Sequence, residues 1–294
     1  MEINMPTTLN ITNMNEVNVF KRLFKYIIPN PPKIEEKKVG EITLKSINYK
    51  VKNSKIPWKK ISNIIRKNSK YVLCSENIKI PITYGIQRFT SNKLNRCLCE
   101  NTFIAVLKNL NVKPTDFSVS LYDPRAAYAD ILDAILQYSA QVKVVSNNIR
   151  FYEEESARLM ERYGVTVLTT DNILSLDNSD IIVAPDKIRT DLKLSKDTFV
   201  FTAEKLGINL GCTVIDDYKV NTPIEYKPLI PNYIEDEYLL SYLYSELKIY
   251  ELGDLVPVYC ISEGKAKTIK EISEELETLI ARVWLAWQKN TNFI

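Results

Sequence analysis

A short polar turn in the middle of the chain carries side chains that are suited to ligand chemistry. Asp123, Pro124 and Arg125 follow an apolar run and precede a run with helical spacing. Arg125 could bind a small anion there, because the first backbone N–H groups of a helix favour negative charge. Helix caps are commoner than ligand sites, which favours a simpler interpretation: Asp123 caps the helix, Pro124 begins it and Arg125 is solvated.

Polar residues also follow the later apolar runs of the middle third. The carboxyl ends of parallel strands share one edge of a sheet, and ligands bind in the crevice where the strand order reverses. The candidate ligand-binding residues are Asp123, Pro124, Arg125, Ser146, Asn147, Asn148, Arg150, Asp171, Pro185 and Thr202. Strand ends are also predicted at Thr169, Thr170 and Asp186.

The chain has no histidine, the side chain that titrates nearest neutral pH and the commonest metal ligand. This excludes Ser-His-Asp catalysis, Cys-His catalysis and histidine-bound zinc. Acid–base chemistry would need an Asp, Glu, Lys, Tyr or Cys whose pKa is shifted by burial or a neighbour. A genome biased towards Ile, Lys and Asn also accounts for the missing histidine, and no catalytic residue is predicted.

Cysteines and acidic runs have simple structural interpretations. Five cysteines, an odd number, favour free thiols in a reducing compartment. Cys97 and Cys99 on one helix point to different faces, so a thiolate metal site is not predicted. Asp216 and Asp217 could hold a divalent cation, but a polar turn is simpler. The acidic runs at 153–155 and 235–237 are predicted helix starts.

Short β-branched runs alternate with amphipathic helices from residue 116 onwards, which predicts right-handed βαβ crossovers and a parallel sheet. The predicted strands are residues 117–122, 142–145, 165–168, 181–184, 199–201 and 212–215. The predicted helices between the first three are residues 126–138 and 151–163.

This order, with the stretch from Asn178 to Pro185, resembles the nucleotide-binding half of NAD(P)-dependent dehydrogenases over residues 116–216. The resemblance implies a Rossmann-like fold whose fourth strand ends at a cofactor crevice. The first turn departs from the family pattern, because residues 123–127 contain no glycine and Asp123 would repel a pyrophosphate. Arg150 could meet a 2′-phosphate, which points to NADP.

Charge divides the chain into two regions, since residues 1–113 carry a net charge of +14 and residues 114–294 carry −11. The predicted fold is α/β, with a Rossmann-like parallel sheet, a smaller basic N-terminal α/β domain and C-terminal helices. The predicted segments are an N-terminal arm, basic helix and linker (1–40), a basic α/β domain (41–113), a Rossmann-like domain (114–216) and a C-terminal helical segment packing on the others (217–294).

The first forty residues are predicted to lie outside the main core. Residues 1–16 are polar and are expected to form a loose arm, and residues 31–38 a linker. Between them, apolar residues from Phe20 to Ile28 recur at helical spacing among lysines and an arginine. This basic helix could dock on its own domain, which is favoured, or lie on an anionic membrane surface.

Several partners are compatible with this composition. No apolar run is long enough to span a membrane and no secretory signal is visible, so a cytoplasmic location is expected. The basic region could bind nucleic acid, with Trp58, Tyr71 and Phe89 among its charges, but an acidic surface of its own chain or of another subunit is favoured. The apolar stripe of the last helix, residues 268–288, could form a homo-oligomer contact.

Three functional hypotheses follow from the sequence. The first is a nucleotide or small phosphorylated ligand bound in a cleft between the two regions, without a standard catalytic apparatus. The second is an NADP-dependent oxidoreductase with an atypical phosphate loop and a Lys or Asp for proton transfer. The third is an adaptor that binds nucleic acid or an anionic surface through residues 20–96.

Overall fold

The structure is a computed structural model, and it describes residues 5–13, 31–51, 56–67, 69–188, 192–206 and 210–291. The chain folds into two compact units. Unit 1 comprises Met1–Ser91 and Thr222–Tyr250, and unit 2 comprises Asn92–Asn221 and Glu251–Ile294. The predicted basic helix at residues 20–28 lies outside the described residues.

The elements are numbered in chain order over these ranges. The strands are β1 (Thr7–Asn13), β2 (Lys33–Val39), β3 (Ile42–Val51), β4 (Tyr71–Cys74), β5 (Gln87–Arg88), β6 (Ser118–Tyr122), β7 (Gln141–Val145), β8 (Leu168–Thr170), β9 (Ile181–Ala184), β10 (Phe199–Thr202), β11 (Thr213–Lys219), β12 (Tyr259–Ser262) and β13 (Lys265–Lys267). The helices are α1 (Trp58–Ile65), α2 (Lys93–Asn109), α3 (Ile131–Ile135), α4 (Ile149–Tyr163), α5 (Asp236–Glu246) and α6 (Ile269–Thr291).

Unit 1 contains a five-stranded sheet in the order β2-β3-β1-β4-β5. The hairpin of β2 and β3 is antiparallel, and the other neighbours are parallel. One face is covered by α1, because Trp58, Ile61 and Ile65 repeat at helical spacing and pack with Leu9 and Ile47. Unit 1 is therefore a small α/β domain.

Two segments of unit 1 differ from the sequence-based prediction. The predicted loose arm contains β1, which is paired on both sides with β3 and β4. The sequence of β1 lacks the alternation of apolar and polar residues that indicates a strand, because Thr7 and Thr8 are polar and yet fully buried. The Thr8 hydroxyl is satisfied by a 3.1 Å hydrogen bond to Ser46. The predicted linker contains β2, an exposed edge strand, where lysines discourage pairing with other chains.

Unit 2 contains an eight-stranded sheet in the order β13-β12-β11-β10-β9-β6-β7-β8. The six strands from β6 to β11 are parallel to their neighbours. Numbered from the first of them, their spatial order is 3-2-1-4-5-6, which is the Rossmann order. The predicted parallel sheet is confirmed, and β12 and β13 extend it with antiparallel strands.

Some predicted boundaries in unit 2 were wrong. The predicted helix at residues 126–138 is reduced to α3, because residues 124–130 form turns and Ala126 has a positive φ of 55°. The strand predicted at 165–168 begins only at Leu168. The acidic run 153–155 lies in the second turn of α4 rather than at its start, whereas the run 235–237 does begin α5.

The helix α2 lies in unit 2. Phe103 on α2 contacts Phe201 on β10 with ring centroids 5.6 Å apart. Val106 accepts a hydrogen bond from Ser273 on α6. Over the described residues, no helix has the length and apolar character needed to cross a membrane.

Candidate functional site

The order of the parallel strands reverses between β6 and β9. The chain runs outward from β6 through β7 to β8 and then returns to β9, which pairs with the other side of β6. The crevice of a doubly wound sheet lies beyond the carboxyl ends of the strands at this point. Asp123, Pro124 and Arg125 follow β6, and Pro185 and Asp186 follow β9.

The turn after β6 is held by the buried carboxylate of Asp123, which is 0% exposed. Its Oδ1 accepts a hydrogen bond from the backbone N–H of Arg125 at 3.3 Å. Its Oδ2 accepts one from the backbone N–H of Tyr128 at 2.8 Å and a third from the Tyr152 hydroxyl. Backbone donors at this turn are the groups that bind phosphate in Rossmann folds. In this chain an aspartate carboxylate already occupies them.

The backbone of the same turn also differs from a phosphate loop. Ala126 lies in the left-handed region, a conformation that favours glycine. The following helix, α3, begins only at Ile131 and has five residues. The turn therefore presents neither glycines nor a regular helix N-terminus directly after β6, and two of its backbone donors are already bonded to Asp123.

Two arginines converge on the carboxylate of Asp186. Arg125 donates from Nε at 3.1 Å and from Nη2 to Oδ2. Arg96, on α2, forms an ion pair with Oδ1 at 2.6 Å. The Tyr128 hydroxyl also donates to Oδ1 at 3.1 Å. The Thr202 hydroxyl donates to the Asp186 carbonyl at 3.0 Å, so the ends of β6, β9 and β10 form one polar cluster.

Glu100 lies one helical turn after Arg96 and is partly buried. Burial, together with repulsion from Asp130 and Asp123, raises the pKa of Glu100 to about 7, and attraction to Arg96 opposes these effects. A chain without histidine thus contains a side chain that titrates near neutral pH. Sequence reasoning missed both Arg96 and Glu100, because their place in the cluster depends on how α2 packs against the sheet of unit 2.

The remaining candidate residues lie at the ends of β7 and β8. Ser146 is buried, and its Oγ accepts a hydrogen bond from the Asn148 backbone N–H at 3.1 Å. The Ser146 backbone N–H donates to the Thr170 carbonyl at 3.0 Å. Arg150 is 89% exposed and its Nε lies 3.4 Å from Glu154. Asn147 and Asp171 are exposed, and Pro185 is buried.

Unit 2 has the strand order of a Rossmann fold. No family model matches the chain, and no curated protein matches it. Solved structures that resemble it include L-tryptophan dehydrogenase from Nostoc punctiforme, with 11% identity over 96% of this chain and 83% of that chain and a TM-score of 0.33. Quinate dehydrogenase from Corynebacterium glutamicum has 8% identity over 95% of this chain and 100% of that chain, with a TM-score of 0.32.

A third similar structure is the Δ1-pyrroline-2-carboxylate reductase from Thermococcus litoralis, which was solved with NADH and L-proline. It has 12% identity and a TM-score of 0.27, and the match covers 42% of this chain and 41% of that chain. The chain thus spans less than half the length of this reductase. The Rossmann-like assignment rests on the strand order of unit 2.

The cysteines and the pair Asp216 and Asp217 were the other candidates considered from the sequence. Within the described ranges, no group of three or more His, Cys, Asp or Glu residues could hold a metal ion. The five cysteines, all of which lie in the described ranges, form no disulfide, and burial raises the pKa of Cys74 and of Cys212 to about 11. Asp216 and Asp217 lie inside β11 and not in the predicted turn. Asp217 pairs with Lys205 at 2.8 Å.

The arrangement after β6 and β9 favours anion binding over proton abstraction. Burial and the nearby aspartates raise the pKa of Tyr128 and of Tyr152, so both phenols remain protonated donors at neutral pH. Arg125 is fixed along one edge by Asp186 while its side chain is 63% exposed. A guanidinium fixed in this way can bind a phosphate or carboxylate with little further loss of side-chain entropy.

Proposed function

We propose that this protein binds a small phosphorylated ligand of the nucleotide class at the carboxyl ends of β6 and β9, without a standard catalytic apparatus. One observation carries the proposal: the exposed guanidinium of Arg125 is held by Asp186 at the point where the strand order reverses. Two arginines meet the single carboxylate of Asp186 there.

The filled turn after β6 restricts the class of ligand. A dinucleotide in the usual pose places its pyrophosphate on the backbone donors of this turn. Those of Arg125 and Tyr128 donate to Asp123 instead. The proposal therefore favours a ligand with a single phosphate, such as a mononucleotide or a sugar phosphate, whose phosphate contacts the guanidinium of Arg125.

Thermal unfolding with matched pairs of compounds tests this function. AMP and ribose 5-phosphate should raise the melting temperature, whereas adenosine and ribose should not, because only the phosphate contacts Arg125. Arg125→Gln should weaken the binding of the phosphorylated compounds about tenfold, which is the loss of one charge-assisted contact. The matched control is Arg162→Gln, since Arg162 is an exposed arginine of the same unit that pairs with Asp133. Absence of any phosphate-dependent shift would refute the proposal.

Arg150 favours a second candidate function, that of an NADP-dependent oxidoreductase. This highly exposed arginine follows β7, where a 2′-phosphate is bound in NADP-dependent Rossmann enzymes. If this function is correct, the protein should bind NADP more tightly than NAD, and Arg150→Gln should remove the difference. Equal affinity for the two cofactors in the unmodified protein would exclude a role of Arg150 in cofactor selection.

A further inference from the structure

Glu100 is a partly buried carboxylate on α2 that has no role in the proposed anion site. It lies four residues after Arg96 on α2, so the two side chains share one face of the helix. Arg96 bonds to the same carboxylate as Arg125, that of Asp186. Glu100 is therefore linked to the proposed ligand contact through Arg96 and Asp186.

We infer that binding of an anion at Arg125 is coupled to the uptake of a proton by Glu100. This inference rests on the proposed function and adds its regulation by pH. The balance is simple, because one proton from solution converts the Glu100 carboxylate to the neutral acid and no other bond forms or breaks. The protein would then bind its ligand more tightly in acidic solution.

The charged groups around Glu100 determine the sign of this coupling. Asp123, in the turn after β6, and Asp130, just before α3, both disfavour a charged Glu100, whereas Arg96 on its own helix favours it. Tyr128 and Cys99 also interact with Glu100. Burial raises the pKa of both groups, so they remain neutral and add no charge at pH 7. Arg96 is thus the single positive charge among these groups that supports the carboxylate form.

A bound anion weakens that support. Its negative charge lies on the exposed edge of Arg125, whose other edge is bonded to the nearly buried carboxylate of Asp186. Beside such a poorly solvated group a charge acts over several ångströms. The electrostatic potential at Glu100 becomes more negative, so the neutral acid is favoured. Because the pKa of Glu100 is already close to 7, a modest change in the electrostatic potential at Glu100 is enough to alter its protonation near neutral pH.

Arg96 has an unused donor that fits this coupling. Its Nε is buried and has no hydrogen-bond partner among the described residues. Such a donor costs free energy until an acceptor or a bridging water reaches it. Once Glu100 is neutral, it no longer attracts Arg96, and the charge of Arg96 acts more strongly on Asp186 and on the bound anion.

Sulfate is a suitable probe because its charge stays constant between pH 6 and pH 8. Its dissociation constant should be measured from the sulfate dependence of thermal unfolding at both values of pH. The unmodified protein should bind sulfate about fivefold more tightly at pH 6 than at pH 8, which corresponds to about a tenfold change in the acidity of Glu100 on binding. Glu100→Gln should abolish this pH dependence while sulfate still binds.

The matched control is Glu161→Gln, which removes an exposed carboxylate of the same unit and should retain the pH dependence. Calorimetric titration of the unmodified protein in two buffers with different ionisation enthalpies measures the proton uptake directly, without relying on the folding of a variant. Binding without proton uptake, or pH dependence that persists in Glu100→Gln, would overturn this inference alone. No sulfate binding at either pH would overturn the proposed function as well.

Discussion

The Oδ2 atom of Asp123 lies 2.8 Å from the backbone nitrogen of Tyr128. Together with the bonds from Arg125 and Tyr152, this contact places a carboxylate where a Rossmann phosphate loop receives its ligand. These three donors are satisfied within the protein. The chain thus has the Rossmann strand order, while the Asp123 carboxylate accepts hydrogen bonds from backbone donors of the kind that this fold offers to a phosphate.

Removing the Asp123 carboxylate should destabilise the protein and open this position. Asp123→Ala leaves three donors without their acceptor, so the free energy of unfolding should fall by about 3 kcal/mol in urea titrations. Pyrophosphate should then raise the melting temperature of the variant more than that of the unmodified protein, because an anion can replace the missing carboxylate. Asp171→Ala, at an exposed strand end, is the control. If pyrophosphate raised the melting temperature of the unmodified protein, Asp123→Ala and Asp171→Ala by the same amount, the idea that the Asp123 carboxylate takes the place of an anion would be contradicted.

Comparing Asp186 with Asp133 tests how far burial determines the contribution of an aspartate–arginine cluster to the stability of the protein. Asp133, like Asp186, binds two arginines and one tyrosine hydroxyl. The side chain of Asp186 is 9% exposed and that of Asp133 is 27% exposed. Asp186→Asn should cost about 3 kcal/mol, because the charge of Arg96 loses its partner in a poorly solvated site.

Asp133→Asn should cost less than about 1 kcal/mol, since ion pairs near the surface are screened by solvent. Urea unfolding of both variants measures the difference. Added salt should reduce the effect of Asp133→Asn further and leave most of the effect of Asp186→Asn. Similar losses in the two variants would show that burial does not distinguish the clusters.

The parallel sheet of unit 2 could be predicted from sequence because its strands are short apolar runs with clear spacing. Topology alone also places Asp123, Arg125 and Thr202 at the ends of strands beside the crevice, and their role in ligand binding stays a prediction. Arg96 and Glu100 could not be found in this way. They lie on α2, whose sequence neighbours are basic. The proximity of Arg96 to Asp186, and of Glu100 to Asp123 and Asp130, arises from tertiary packing.

In unit 1, the strand β1 was missed because its buried threonines look polar in the sequence, although Thr8 bonds within the sheet. From the sequence, Arg125 was expected either to be solvated or to bind a small anion. The structure shows it paired with Asp186 on one edge and exposed on the other, which no local pattern encodes. The predicted domain boundaries, the oligomer contact of the last helix and the nucleic-acid partner stay predictions.

Glu100 should make the stability of the protein depend on pH. In the folded state its pKa is raised from 4.5 to about 7. Between these two values of pH, Glu100 is protonated in the folded protein and ionised in the unfolded chain. The stability from this group is therefore fully present below pH 4.5 and is lost as the pH rises through 7, by about 3 kcal/mol in total. Glu100→Gln should remove this loss, and urea unfolding at pH 5 and pH 8 compares the two proteins. An unchanged pH dependence in the variant would assign the effect to other groups.

Ala126 should be a position where glycine stabilises the chain. Its φ of 55° lies in the left-handed region, which costs an L-residue roughly 1–2 kcal/mol. Glycine avoids this strain but adds entropy to the unfolded state, so Ala126→Gly should stabilise the protein by up to about 1 kcal/mol. Ala157→Gly, at an exposed position inside α4, should instead destabilise by about 1 kcal/mol. The opposite signs, measured by thermal unfolding, would show that the turn after β6 retains a backbone shape suited to glycine although its sequence has none.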